Sequence, residues 1–136
     1  MFKKVILYCC IAVKLTACKP DLRSTVMIVN NSDEDIFWKF GIERSSGEWY
    51  NSPSISSWLE RDEYILLRGD TTYRSFRTAG VKENLRMGWI KYCFFNLDSI
   101  KTIPWQRICD ERIILKEVRF DSWEDFERCN FTITYP

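Results

Sequence analysis

From Thr25 to Asn30 the chain reads Thr-Val-Met-Ile-Val-Asn, β-branched and apolar on both faces, as expected of a strand near the centre of a sheet. A polar turn, Asn31-Ser32-Asp33-Glu34, comes next. From Asp35 to Ile42 the pattern alternates strictly, with Ile36, Trp38, Phe40 and Ile42 on one side and Phe37, Lys39 and Gly41 on the other. The two segments therefore read as a hairpin. Residues 43–57 are rich in Ser, Gly, Asn and Pro and carry no period, which predicts an exposed loop.

Further on, Glu63 to Arg68 predicts a strand ended by Gly69-Asp70, and Leu85 to Phe95 is the longest strand candidate, with Ile90, Tyr92 and Phe94 alternating against Trp89, Lys91 and Cys93. Pro104 can open a short helix through Ile108, because proline lacks only an N–H that the first helical turn does not use. Ile113 to Val118 is another strand. At the C-terminus Asp121 caps a predicted helix with Glu124 three places on, Trp123 and Phe126 share its face, Arg128 suits its negative end and Asn130 stops it. Phe131, Ile133 and Tyr135 then alternate with Thr132 and Thr134 in a closing strand. The sum is a mainly β fold: a small antiparallel sandwich or partly closed barrel with one or two short helices.

The first residues follow a different logic. Met1-Phe2-Lys3-Lys4 precedes nine apolar or weakly polar residues, Val5 to Val13, and then Lys14-Leu15-Thr16-Ala17-Cys18. A basic flank, a short apolar run and small residues before a cut are the parts of a secretory signal. Nine residues at about 1.5 Å each fall short of the ~20 that a membrane span needs. Leu15-Thr16-Ala17-Cys18 also resembles the lipobox of bacterial lipoproteins, although Lys14 places a charge where most such signals have none. The expected organisation is a signal peptide over residues 1–17, a tether over 18–23 that begins with a lipid-bearing Cys18, and one β-rich domain over 24–136. Two acyl chains, at about 0.8 kcal/mol per buried methylene, hold a protein stably on a membrane.

Removing the leader changes two counts. Lys3, Lys4 and Lys14 leave with it, so 17 of 20 basic residues remain against 19 acidic ones, and this balance gives no reason to expect nucleic acid as a partner. Of six cysteines only Cys93, Cys109 and Cys129 then remain free of leader or lipid, so any two can form at most one internal disulfide. Their spacings, in a chain without histidine, match no zinc site. No metal or cofactor is expected. The bland role, small apolar side chains in or near a core, is favoured for them.

The lipobox, Val29-Asn30-Asn31-Ser32, Pro104-Trp105, Ile114-Leu115-Lys116, Phe120-Asp121-Ser122-Trp123-Glu124-Asp125-Phe126 and Asn130-Phe131-Thr132-Ile133-Thr134-Tyr135-Pro136 together resemble a family of small lipoproteins of Bacteroidetes bacteria. Those proteins typically end in a short helix and an Asn-aromatic-Thr-Ile-x-Tyr-Pro strand. The resemblance covers residues 85–136 well and 40–80 thinly, where Asn51-Ser52-Pro53 stands in place of an expected Tyr-Pro-Asp turn. It implies a location and a fold, and supplies no catalytic residue.

Without histidine, Ser-His-Asp and Cys-His catalysis are excluded. Carboxylate pairs remain: Asp62 with Glu63, Asp110 with Glu111, and Glu124 with Asp125. Sequence neighbours diverge on a strand and lie about 100° apart on a helix, so none is a ready acid/base couple. No catalytic residue is assigned. Trp49 and Tyr50 in the 43–57 loop, with Trp58 after it, are the candidate surface for a glycan or protein partner, set against the alternative that these rings cover a core edge. Asp98-Ser99-Ile100 and Asp70-Thr71-Thr72 resemble bacterial O-glycosylation acceptors, making Ser99 and Thr71 candidates. Asn30 and Asn130 match the N-glycosylation pattern but read as turn and helix-stop residues.

The expected function is a non-catalytic, membrane-tethered binding or structural module of the cell envelope, with the outer membrane as its expected place and its face left open. The alternative is a small envelope hydrolase using two carboxylates roughly 5 to 10 Å apart.

Overall fold

The computed structural model describes residues 22–44 and 62–136. Among the described residues seven strands and four short helices follow one another: β1 (Arg23–Asn30), β2 (Ile36–Arg44), β3 (Ile65–Leu66), β4 (Thr71–Arg77), α1 (Thr78–Met87), β5 (Gly88–Asn96), α2 (Leu97–Thr102), α3 (Trp105–Asp110), β6 (Lys116–Phe120), α4 (Trp123–Arg128) and β7 (Thr132–Tyr135). A 3-10 turn, Asp62–Tyr64, precedes β3. The strands form two sheets, ordered β4-β1-β7 and β3-β2-β5-β6, packed face to face and not closed into a barrel. Every ladder is antiparallel except β1 with β7, which run parallel.

The predicted hairpin between the first two strands does not form. Both β1 and β2 are central strands of different sheets, each with partners on both sides. Asn31 to Asp35 is therefore a crossover between layers. Alternation alone could not separate the two cases, because it reports which face is buried and not which strand lies alongside. Central placement also explains why Ile36, Phe37, Trp38 and Lys39 are all buried, on both faces of β2. One face meets the other sheet; the other lies beneath α3, where Trp105 sits 5.4 Å from Phe95 in an edge-on contact.

The core is aromatic. Phe94 of one sheet stacks on Tyr135 of the other with centroids 5.8 Å apart. At the end of the sandwich where β1 starts, Phe126 of α4 lies 3.9 Å from Phe120 and 6.3 Å from Phe76, so one helix side chain joins β6 to β4. The two open sides are bridged by polar contacts: Arg74 Nη1 to Glu63 Oε2 at 3.0 Å on the β4/β3 side, and Lys116 Nζ donating to the Thr134 carbonyl at 2.8 Å on the β6/β7 side.

Several boundaries move from their predicted places. The strand expected from Glu63 shrinks to Ile65–Leu66. Leu85 belongs to α1, which ends at Met87, so the long strand starts at Gly88. Val81 and Leu85, four apart, are the pair that helix turns onto the core. A strand starting at Lys116 replaces the one expected from Ile113. The C-terminal helix is capped one residue later than predicted: the Ser122 hydroxyl accepts from the Asp125 N–H, and the Asp125 carboxylate accepts from the Ser122 N–H. Asp121 instead takes an ion pair from Arg119 at 2.6 Å. Asn130 stops the helix at φ 50°, in the left-handed region that asparagine tolerates.

Candidate functional site

Cys18, Trp49, Tyr50 and Trp58 lie outside the described residues, as does most of the predicted 43–57 loop. The chemistry of the sequence candidates that can be placed is largely accounted for by structure. Glu63 faces Arg74; Asp110 accepts from Gln106 Nε2 at 2.8 Å; Glu111 pairs with Arg107 at 2.8 Å. The carboxylate of Asp125 is occupied by its capping box, and the Asp121 backbone N–H, with Ser122 and Arg128 adding to it, holds its pKa below the usual carboxylate value. Among the described residues no group of three His, Cys, Asp or Glu side chains is placed to hold a metal ion.

Ser99 is half-buried in α2, where its N–H and hydroxyl both donate to the Asn96 side chain that caps the helix. Thr71 is exposed at the start of β4. Of the two O-glycosylation candidates, Thr71 is thus the more exposed residue. Asn30 is fully buried and its amide is saturated, which leaves it no access to a sugar.

Two buried polar residues, Asn30 and Lys39, and the half-buried Arg74 have contacts that the sequence did not foretell. The first is Asn30, whose Nδ2 donates toward the carbonyls of Glu34 at 2.7 Å, Leu67 at 3.1 Å and Leu66 at 3.2 Å, while its Oδ1 accepts from the Ser32 N–H and hydroxyl at 3.0 and 2.6 Å. This one side chain ties the end of β1 to the crossover and to β3 of the opposite sheet. The second is Arg74, whose guanidinium carbon lies 4.9 Å from the Tyr64 ring centre and 5.6 Å from that of Trp38. Arg74 Nε and Trp38 Nε1 are buried without a hydrogen-bond partner, and the ring faces beside them are the electron-rich groups available.

The third is Lys39, which lies opposite Cys93 on β5 with its ammonium 5.0 Å from the Trp105 ring centre. Burial lowers its pKa, against an opposing pull from Cys109 and Cys93. Burial also pushes the Cys93 thiol up to about 12, the Glu117 carboxylate adding to the effect. All three placed cysteines are free: Cys93 buried, Cys129 half-buried and donating to the Phe126 carbonyl, Cys109 exposed. The thiolate is the reactive form. In the native protein a thiol reagent at neutral pH is therefore expected to label Cys109 and spare Cys93, with Cys93 reacting only after denaturant is added; equal labelling of both without denaturant would contradict this arrangement.

Strand pairing also defines the outer face of the three-stranded sheet. Registry places Val29 between Thr71 and Thr134, Met27 between Tyr73 and Thr132, and Thr25 beside Ser75, with Arg23 opposite Arg77 at the end where β1 begins. Tyr73 is 64% exposed. Arg23 Nε donates to the Ser75 hydroxyl at 3.3 Å. Sequence reading missed this face because β4 was not recognised; its signal, alternation from Thr71 to Arg77, is diluted by Arg74, a charged residue at an inward position.

No described helix is long and apolar enough to cross a membrane. Comparisons with protein-family models, with curated proteins and with solved structures each found no match.

Proposed function

We propose that this chain is the precursor of a lipid-anchored cell-envelope lipoprotein of the kind that the C-terminal segments resemble, held on the membrane by lipid on Cys18. The sandwich serves as a non-catalytic binding or structural module. The observation that carries the reading is the order of signals at the N-terminus: Lys3-Lys4, the apolar run Val5 to Val13, and Leu15-Thr16-Ala17-Cys18. Its support from the fold is positional. The first described strand begins at Arg23, five residues beyond Cys18, so a cut before Cys18 leaves every described strand and helix in the chain.

Labelled palmitate is expected to enter the wild-type chain, and Cys18→Ser is expected to abolish labelling and move the protein from the membrane fraction to the soluble one. An unlabelled wild-type chain that keeps its Met1 end would refute the anchor. As for the module's role, Glu63, Asp110, Glu111 and Asp125, at least one from each adjacent carboxylate pair, serve ion pairs, a cap or hydrogen bonds within the fold, which favours a binder over a hydrolase.

A further inference from the structure

We propose that a single water molecule is bound between the two sheets on the β4/β3 side, accepting hydrogen bonds from Trp38 Nε1 and Arg74 Nε. Among the described residues these are the buried side-chain polar atoms without a hydrogen-bond partner. Both groups can only donate, so each needs an acceptor. They come from opposite layers: Trp38, fully buried, from β2, and Arg74 from β4, its guanidinium carbon 5.6 Å from the centre of the Trp38 ring. On the strand beside β2, the Tyr92 ring lies 6.3 Å from that of Trp38, and its hydroxyl feels the charge of Arg74. That hydroxyl can take one of the two hydrogens such a water has left to give.

The neighbouring rings are poorer acceptors for these donors. An indole N–H lies in the plane of its ring, and Tyr92 is within 21° of parallel to Trp38, so its face is turned away from that N–H. Tyr64 is tilted by 54°, but the Arg74 guanidinium already lies 4.9 Å from its centre. A ring face is also a weaker acceptor than oxygen. An anion suits the place less well than water. Arg74 Nη1 meets Glu63 Oε2 at 3.0 Å, so its charge is balanced, and a second anion would carry uncompensated charge into an aromatic core. The packing around Trp38 is open enough for a small guest: its near-parallel partner Tyr92 stands at 6.3 Å, whereas Phe120 and Phe126, also near parallel, close to 3.9 Å. The Arg74 side chain is 28% exposed, which gives water a way in along it. Held in this manner, β4, at the edge of its sheet among the described residues, keeps an inward charge, a feature that discourages a foreign strand from adding there.

The test is NMR of the isotope-labelled protein recovered from producing cells, in neutral detergent micelles; the signals belong to the domain and read the same with or without lipid on Cys18. Rotating-frame cross-peaks from the water line to both the Trp38 Nε1–H and the Arg74 Nε–H are expected. Their sign should be opposite to that of the diagonal, which dipolar contact produces and proton exchange does not. In the Trp38→Phe/Arg74→Met double variant, which removes both donors and keeps a ring and an aliphatic chain in place, water-oxygen relaxation dispersion is expected to lose the amplitude of one long-lived water. Absence of either cross-peak in the wild-type protein overturns the proposal, and so does a Trp38 indole proton shifted upfield as an N–H held on a ring face would be. A saturating movement of the two N–H signals on adding chloride or formate at constant ionic strength would place an anion there and overturn it as well. An unchanged dispersion amplitude in the folded double variant has the same force, and should that variant fail to fold, the wild-type cross-peaks decide alone.

Discussion

Asn30→Ala is expected to destabilise the domain by about 3 kcal/mol, out of the roughly 5 to 15 kcal/mol that holds a domain folded. The side chain is completely buried, and both ends of its amide are engaged with main chain. Alanine removes two donor hydrogens and one acceptor at once. What it leaves behind matters more: the carbonyls of Leu66 and Leu67 and the N–H of Ser32 lose their contacts in a place water reaches poorly. Equilibrium urea unfolding measures the effect as a lower midpoint with an unchanged slope. Its neighbour Asn31 is exposed, so Asn31→Ala should stay within about 0.5 kcal/mol of wild type. A loss below about 1 kcal/mol for Asn30→Ala would mean that the crossover is not held by this amide. Asn30→Asp extends the test, because a carboxylate there would face carbonyl oxygens: its folded-state pKa is raised, so the variant loses stability as pH rises through the ordinary carboxylate value up to that raised one.

Phe126→Ala should cost more, about 3 to 5 kcal/mol, the range for emptying a buried phenylalanine site. Phe126 is 1% exposed and lies against Phe120, Phe76, Trp123 and Phe131, which belong to β6, β4, α4 and the turn into β7. The position is also topologically demanding. A parallel strand cannot return through a tight turn, and α4 is the connection that carries the chain from the edge of one sheet to the edge of the other, where β7 joins β1. Loss of the ring therefore weakens both the core and the docking of the last strand. Denaturant unfolding gives the magnitude, and hydrogen exchange on the β1–β7 amides locates it: these are expected to lose protection before those of β2 and β5. Phe126→Leu, which refills most of the volume, should recover the larger part of the stability. If alanine is tolerated within about 1 kcal/mol, the stack on Phe120 contributes little and α4 is held by its cap and ion pairs instead.

Where a segment's own period was strong, the sequence named it correctly. Val26, Ile28 and their neighbours announced a central strand, the alternation from Ile36 to Ile42 a second strand, Phe131 to Tyr135 a closing strand, and Trp123 with Phe126 the face of a short helix. Failures occurred where two local readings fit equally well. Ser122 and Asp121 can both cap a helix; Arg119, on the adjoining strand, draws Asp121 away. Leu85 suits a strand or a helix, and Val81 one turn earlier decides for the helix once both rest on the core.

The candidate surface shows the same division. Nothing in the spacing of Arg23, Tyr73 and Thr134 relates them, yet registry sets them on one face. The mainly β character and the lack of histidine chemistry were determined by the sequence alone, because each depends on residues close together in the chain or on composition. Which strands lie side by side, that Asn30 fastens one sheet to the other, and that one face carries no carboxylate were decided only by the tertiary structure. Strand pairing joins residues far apart in sequence, and a period of two reports which way a side chain points but not what it meets.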